Sequence, residues 1–170
     1  MILTTLAYVR DGERTLMLRR PDAPARLGGR WNGLGGKFEP GESPERCVRR
    51  EVREESGLEV EHAELKGIIT FPAFTPGGDD VMTFVYVIRA WSGTLVPEGP
   101  EGTLHWIATH DVADLDLWSG DVVFLPWLER PGLFSARFRY EEGRYRDHEV
   151  VFYADASAAS ASGAHDVIAS

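Results

Sequence analysis

A chain of 170 residues has room for one ordinary domain with a real core, and its length asks for no second one. A charged fraction of 26% with 43% hydrophobic residues is that of a soluble globular protein, and no apolar run approaches the roughly 18 residues of a membrane span. The net charge of -9 argues against general affinity for nucleic-acid backbone, so an anionic ligand would call for a mediating metal cation.

The start, MILTTLAYVRDGER, lacks the basic region and long apolar core of a secretory signal and reads as a first strand. Ile2 to Arg10 and Arg14 to Arg20 are β-type runs joined by Asp11-Gly12-Glu13, which suits a hairpin. Pro21 to Gly36 carries two prolines and five glycines and is predicted to be a long irregular loop of the kind that often holds function. A helix follows. Ser43 suits its N-cap, Pro44 its first position, Glu45 the positive end of its dipole and Gly57 the left-handed position after its last turn.

Val60 to Phe71 and Val81 to Trp91 read as longer strands around the loop TPGGDD, and Thr103 to Ala108 as a short one. Asp111 to Leu115 and Asp121 to Glu129 read as short helical pieces, the second disturbed by Pro126. Leu133 to Tyr140 and Tyr145 to Tyr153 form a last hairpin. Residues 1–153 are thus one domain. Residues 154–170, rich in Ala and Ser, lack the pattern of a packed face and are expected to be a flexible or weakly docked tail. The single cysteine, Cys47, has no partner for an intramolecular disulfide and reads as packing, so a reducing cytoplasm is the default location.

The chemistry concentrates in GGKFEPGESPERCVRREVREESGL, Gly35 to Leu58. On a helix, Glu51, Glu54 and Glu55 fall within one arc of about 100°, beside the apolar stripe of Val48 and Val52. Like charges so placed repel by roughly a few tenths of a kcal/mol per pair. A solvated charged face with compensating arginines, such as Arg50 with Glu54, is the plain reading. The glycine-rich loop directly before the acids, and Glu42 at the helix entrance, favour another: hard oxygen ligands for Mg²⁺ or Mn²⁺, which hold phosphate oxygens and polarise water.

Gly36, five residues, Glu42, seven residues, then Arg50-Glu51-Val52-Arg53-Glu54-Glu55-Ser56-Gly57-Leu58 matches every defined position of the Nudix box. The chain therefore resembles the Nudix, or MutT-like, hydrolases. The resemblance implies an α/β fold, an α/β/α sandwich around a mixed β-sheet, and hydrolysis of a nucleoside diphosphate linked to another group. It implies Glu51, Glu54 and Glu55 as metal ligands, with the Gly35 carbonyl and the distal Glu101 completing the shell, and Arg50 as a residue that orients a glutamate. Family members differ over which residue takes the proton from water; Glu51 is favoured here.

Outside the box, GRWNGLGGK at Gly29 to Lys37, LWSGD at Leu117 to Asp121 followed by FLPWL, and FSARF at Phe134 to Phe138 resemble the branch that cleaves 8-oxo-dGTP to 8-oxo-dGMP and pyrophosphate. Chemically, Asn32 can donate and accept at a purine edge, Asp121 can accept from guanine N1–H and N2–H, and Trp118 offers a stacking face. Plainer roles stay open: a turn cap for Asn32, core for Trp118, an N-cap for Asp121. Phe71, Phe74 and Met82 could wall the base pocket, and Arg19 or Arg20 could meet the triphosphate. One departure stands out. Vertebrate members of this branch carry two adjacent aspartates after the tryptophan, and the first position is Gly120 here, which narrows the expected range to guanine-type bases. The substrate expected is a free nucleotide, with no nucleic acid, membrane or obligate protein partner. ADP-ribose or a nucleotide sugar, and a non-catalytic nucleotide-binding module, are the alternatives.

Overall fold

The computed structural model describes residues 1–22, 29–154 and 167–169. β1 (Ile2–Asp11) and β2 (Arg14–Arg19) form the predicted hairpin, but they pair only where Val9 to Asp11 meet Arg14 to Leu16. Beyond that the strands part, and the glycine-rich segment fills the gap. β3 (Trp31–Asn32) pairs with β2, Asn32 opposite Leu18. The next residues run along β1 instead: the Leu34 N–H donates to the Ala7 carbonyl at 2.9 Å, and the Thr5 N–H to the Gly36 carbonyl at 2.9 Å. The predicted irregular loop is therefore, from Arg30 onward, a wedge held by backbone hydrogen bonds to two strands; residues 23–28 lie outside the described ones.

α1 (Pro44–Ser56) starts where its signals predict. The Ser43 side chain accepts from the Arg46 N–H, and Gly57, at φ 74°, donates its N–H to the Arg53 carbonyl at 2.8 Å. The chain then enters β4 (Leu58–Phe71) directly, two residues earlier than predicted, and returns in β5 (Val81–Gly93). β6 (Glu98–Gly99), absent from the sequence reading, forms a tight turn into β7 (Gly102–Ala108). A 3₁₀ turn at Thr109–Asp114, α2 (Asp121–Phe124) and a second 3₁₀ turn at Leu125–Glu129 follow; Pro126 is where the helical run changes type. β8 (Leu133–Glu141) and β9 (Arg144–Tyr153) close the domain as a hairpin.

With β10 (Val167–Ala169) at one edge, the strands form one mixed sheet in the order β10-β9-β8-β4-β5-β1-β2-β7-β6, with β1/β5 and β4/β8 parallel. β10 adds an antiparallel edge strand to β9, so the end of the expected tail pairs with the sheet; 155–166 are outside the described residues.

Side-chain alternation divides the core between the two faces. Ala7, Val9, Leu16, Leu18, Tyr86 and Ile88 pack with Val48 and Val52 of α1 on one face. Tyr8, Met17, Val85, Val87, Phe134 and Phe138 pack with Phe124 and Leu128 on the other. The layers are α/β/α, with one 13-residue helix on the first side and short helical pieces on the second.

Candidate active site

Two neighbouring features meet at the wedge between β1 and β2. The first is the acidic side of α1. Arg50 acts as its clamp: Nε and Nη2 bond the two oxygens of Glu42 at 2.7 and 2.9 Å, while Nη1 reaches Glu51 at 2.8 Å and Glu54 at 3.1 Å. A fifth bond, Nη2 to the Lys37 carbonyl at 3.0 Å, ties the helix to the loop. The paired guanidinium, helped by the Glu39 N–H, holds the Glu42 carboxyl down at about 2, and the acids in turn raise Arg50. Arg50 touches carboxylates and a carbonyl, which is the geometry of an orienting residue.

Glu55 accepts from the Gly35 N–H at 2.8 Å, yet burial pushes its carboxyl up to about 7, with the charges of Glu51 and Glu101 adding to the rise. Burial also raises Glu51, which feels Glu54 and Glu101. Glycine is required by the backbone at Gly35 and by the neighbouring carboxylate at Gly36 if that side chain is to stay where it is. Gly35 sits at φ 135°, and a Cβ on Gly36 would lie 2.6 Å from the Glu51 carboxyl. Arg20 completes the group, ion-paired to Glu101 at 2.5 Å and close enough to oppose the rise of Glu55. Among the described residues, no three His, Cys, Asp or Glu side chains stand in ligating geometry: Arg50 engages Glu51 and Glu54, and Arg20 engages Glu101.

The second feature is an apolar cavity of about 530 Å³ on the face opposite α1, floored by Leu6, Ile69 and Phe71 and reaching Gly35 and Gly36. Asn32, Trp118 and Asp121 line it with Phe74 and Tyr140. Asp121 is the buried acid of this cavity, 7% exposed, and burial pushes its carboxyl up to about 7 against the pull of Arg30. It is the first residue of α2, whose N-cap is Gly120, so the plainer N-cap role falls away. The Arg30 guanidinium lies over the Trp118 ring at 4.6 Å and donates to the Leu117 carbonyl. Phe71 joins Phe74, Phe138 and Tyr140 in one aromatic wall.

Two predicted residues fall away from the site. Met82 does not line the cavity, because side chains alternate along β5 and its neighbours Val81 and Thr83 do so instead. Arg19 pairs with Asp22 at 3.2 Å, while alternation turns Arg20 to the acids. Tyr140 is the residue the sequence reading missed. The period-two run Phe134, Ala136, Phe138 and Tyr140 on β8 was the signal that could have found it. Cys47 is fully buried, as packing requires.

The family described as NUDIX domain matches residues 2–128. The chain belongs to the Nudix family. A Nudix hydrolase of Bacillus subtilis, YvcI, uncharacterised, is 33% identical over 141 residues, 80% of this chain and 85% of that one. The oxidized purine nucleoside triphosphate hydrolase of Mus musculus is 33% identical over 142 residues, 82% and 87% of the two chains. The crystal structure of a mutator MutT protein from Bacillus halodurans superposes with a TM-score of 0.78 at 30% identity, covering 88% of this chain and 97% of that one. As a Nudix hydrolase the protein acts on a phosphoric anhydride, and hydrolases of this family generally use divalent metal ions. Among the described residues no helix is long and apolar enough to cross a membrane.

Proposed function

We propose that the chain is a Mg²⁺-dependent nucleoside triphosphate pyrophosphohydrolase, with Mn²⁺ able to serve, that converts 8-oxo-dGTP to 8-oxo-dGMP and pyrophosphate. The observation that carries this reading is adjacency. The cavity that holds Asn32 and Asp121 ends at Gly35 and Gly36, the same two glycines on which Glu55 and Glu51 bear from the other side. A purine in the cavity thus places its phosphates beside the acids. The name of the mouse relative, an oxidized purine nucleoside triphosphate hydrolase, agrees with it.

The acids fit a hard divalent cation. The donors are all oxygen, and burial with like charges raises both Glu51 and Glu55, a cost that a cation between them offsets. Glu51, Glu54, Glu55, the Gly35 carbonyl and Glu101 would hold it. When bound it supplies charge neutralisation on the phosphate chain and a more acidic water. Arg50 keeps Glu51 and Glu54 oriented through its fork of hydrogen bonds. Glu51, against the Gly36 backbone at the border of cavity and acids, takes the proton of the attacking water. Arg20 stands where it meets a phosphate once released from Glu101. Asn32 and Asp121 read the base edge, with Trp118 and Phe71 against its faces and rim.

Residues 1–153 carry this activity on free nucleotides in the cytoplasm, without nucleic acid, membrane or an obligate protein partner, and 154–170 are an appendage. The test is kcat/KM for 8-oxo-dGTP, dGTP and ADP-ribose at one Mg²⁺ concentration, read by release of pyrophosphate or phosphate-containing products. 8-Oxo-dGTP is expected to lead; a preference for ADP-ribose, or hydrolysis of none of them, overturns the reading.

A further inference from the structure

Gly120 departs from the paired-aspartate pattern, and Tyr140 supplies the physical reason. The Tyr140 hydroxyl accepts the Gly120 N–H at 2.8 Å. A Cβ built on Gly120 would fall on that oxygen, with Phe138 Cδ1 at 3.2 Å behind it. An acid at 120 therefore requires the Tyr140 hydroxyl to leave its place. The hydroxyl occupies the place from which the missing carboxylate would grow, in the wall of the cavity that Asp121 lines.

The substitution changes what the cavity offers a ligand. A carboxyl can carry a proton and donate, or lose it and accept, and so adapts to different base edges. A phenol keeps its proton across the neutral range, and burial pushes Tyr140 higher still, up to about 12. The Gly120 N–H takes one lone pair of its oxygen, and the phenolic O–H remains a donor.

We propose that Tyr140 is a specificity-determining residue of the base site: a fixed hydroxyl donor beside the acceptor Asp121, selecting purines with a carbonyl at C6 and N–H groups at N1 and C2. This deepens the reading above and rests on it. An adenine-type edge brings an amino donor to C6, where it faces a hydroxyl donor and leaves both unpaired in an apolar wall.

The experiment compares wild type with Tyr140→Phe, which keeps the ring and removes the hydroxyl. The readouts are kcat/KM for 8-oxo-dGTP and 2-oxo-dATP, and the affinity for 8-oxo-dGMP by calorimetry without metal. The 8-oxo-dGTP to 2-oxo-dATP ratio is expected to fall about tenfold, through KM, with 8-oxo-dGMP binding weakened alike, the size of one lost hydrogen bond. The double variant Gly120→Asp with Tyr140→Phe opens the space for the acid and is expected to regain 8-oxo-dGMP binding while admitting 2-oxo-dATP. If wild type favours 8-oxo-dGTP and Tyr140→Phe leaves the ratio where it was, or lowers both substrates equally, the assignment of Tyr140 is overturned and the function stands. If wild type hydrolyses neither nucleotide, both fall.

Discussion

Asp121→Asn should make the protein more stable above neutral pH and a poorer binder of guanine. The Asp121 carboxyl is buried and its proton is held up to about pH 7 instead of 3.8. That gap, at 1.36 kcal/mol for each tenfold step in proton affinity, comes to about 4 kcal/mol. The sign follows from proton counting. Between pH 3.8 and about 7 the fold keeps a proton that the unfolded chain has lost, so stability declines as pH rises and levels off above 7. Asparagine has no proton to lose, so the variant should match wild type near pH 4 and exceed it by up to about 4 kcal/mol at pH 8. Glu55 also titrates near 7, but it is common to both proteins and cancels in the difference. Urea denaturation midpoints at the two pH values measure the effect. Parallel pH profiles for wild type and variant would refute it. The functional counterpart has the opposite sign: the ionised Asp121 accepts both N–H groups of a guanine edge, so KM for 8-oxo-dGTP should fall through pH 7 in wild type and stay flat in the variant.

Three other perturbations probe separate parts of the molecule. Glu54→Gln, at a side chain 55% exposed, should leave the melting temperature nearly unchanged while lowering Mg²⁺-supported kcat by about 100-fold or more; equal hydrolysis would remove Glu54 from the metal ligands. Gly36→Ala drives a methyl against the movable end of Glu51, so the fold should survive while kcat drops by about 100-fold from a misplaced carboxylate. An alanine enzyme as fast as wild type shows that Glu51 is not needed where it stands. Gly67→Ala puts a methyl into the buried Phe134 ring and should cost about 1–3 kcal/mol, read as a lower melting temperature; an unshifted melt contradicts that packing.

The helix and its caps were legible because their signals are local. Ser43, Pro44 and Gly57 each act within a few residues of their own position, and the acids share a side of α1 by angular spacing alone. The residues that went astray depend on long-range register. Met82 and Arg19 are plausible wall and phosphate residues until β5 and β2 take their faces, and nothing near them in sequence says which face the core claims. Tyr140 lies 20 residues from Gly120, and only the packing of β8 against α2 brings the hydroxyl to that backbone N–H.

The wedge explains why so much function rests on a segment with so little secondary structure. A continuous hairpin of β1 and β2 would fill both strand edges with each other. Because they part after Leu16, the open edge of β1 holds Gly36 and the open edge of β2 holds Asn32, each by backbone hydrogen bonds. The glycines are thus pinned in the plane of the sheet, with α1 on one side and the cavity on the other. In the proposed reaction a carboxylate on the helix and a base on the far face address one phosphate chain through two residues without side chains. Bulk at Gly36 acts on Glu51 from the cavity's edge, whereas bulk at Gly120 acts on Tyr140 in the cavity wall, so on the proposed reading substitutions at the two positions should separate an effect on hydrolysis from one on base choice.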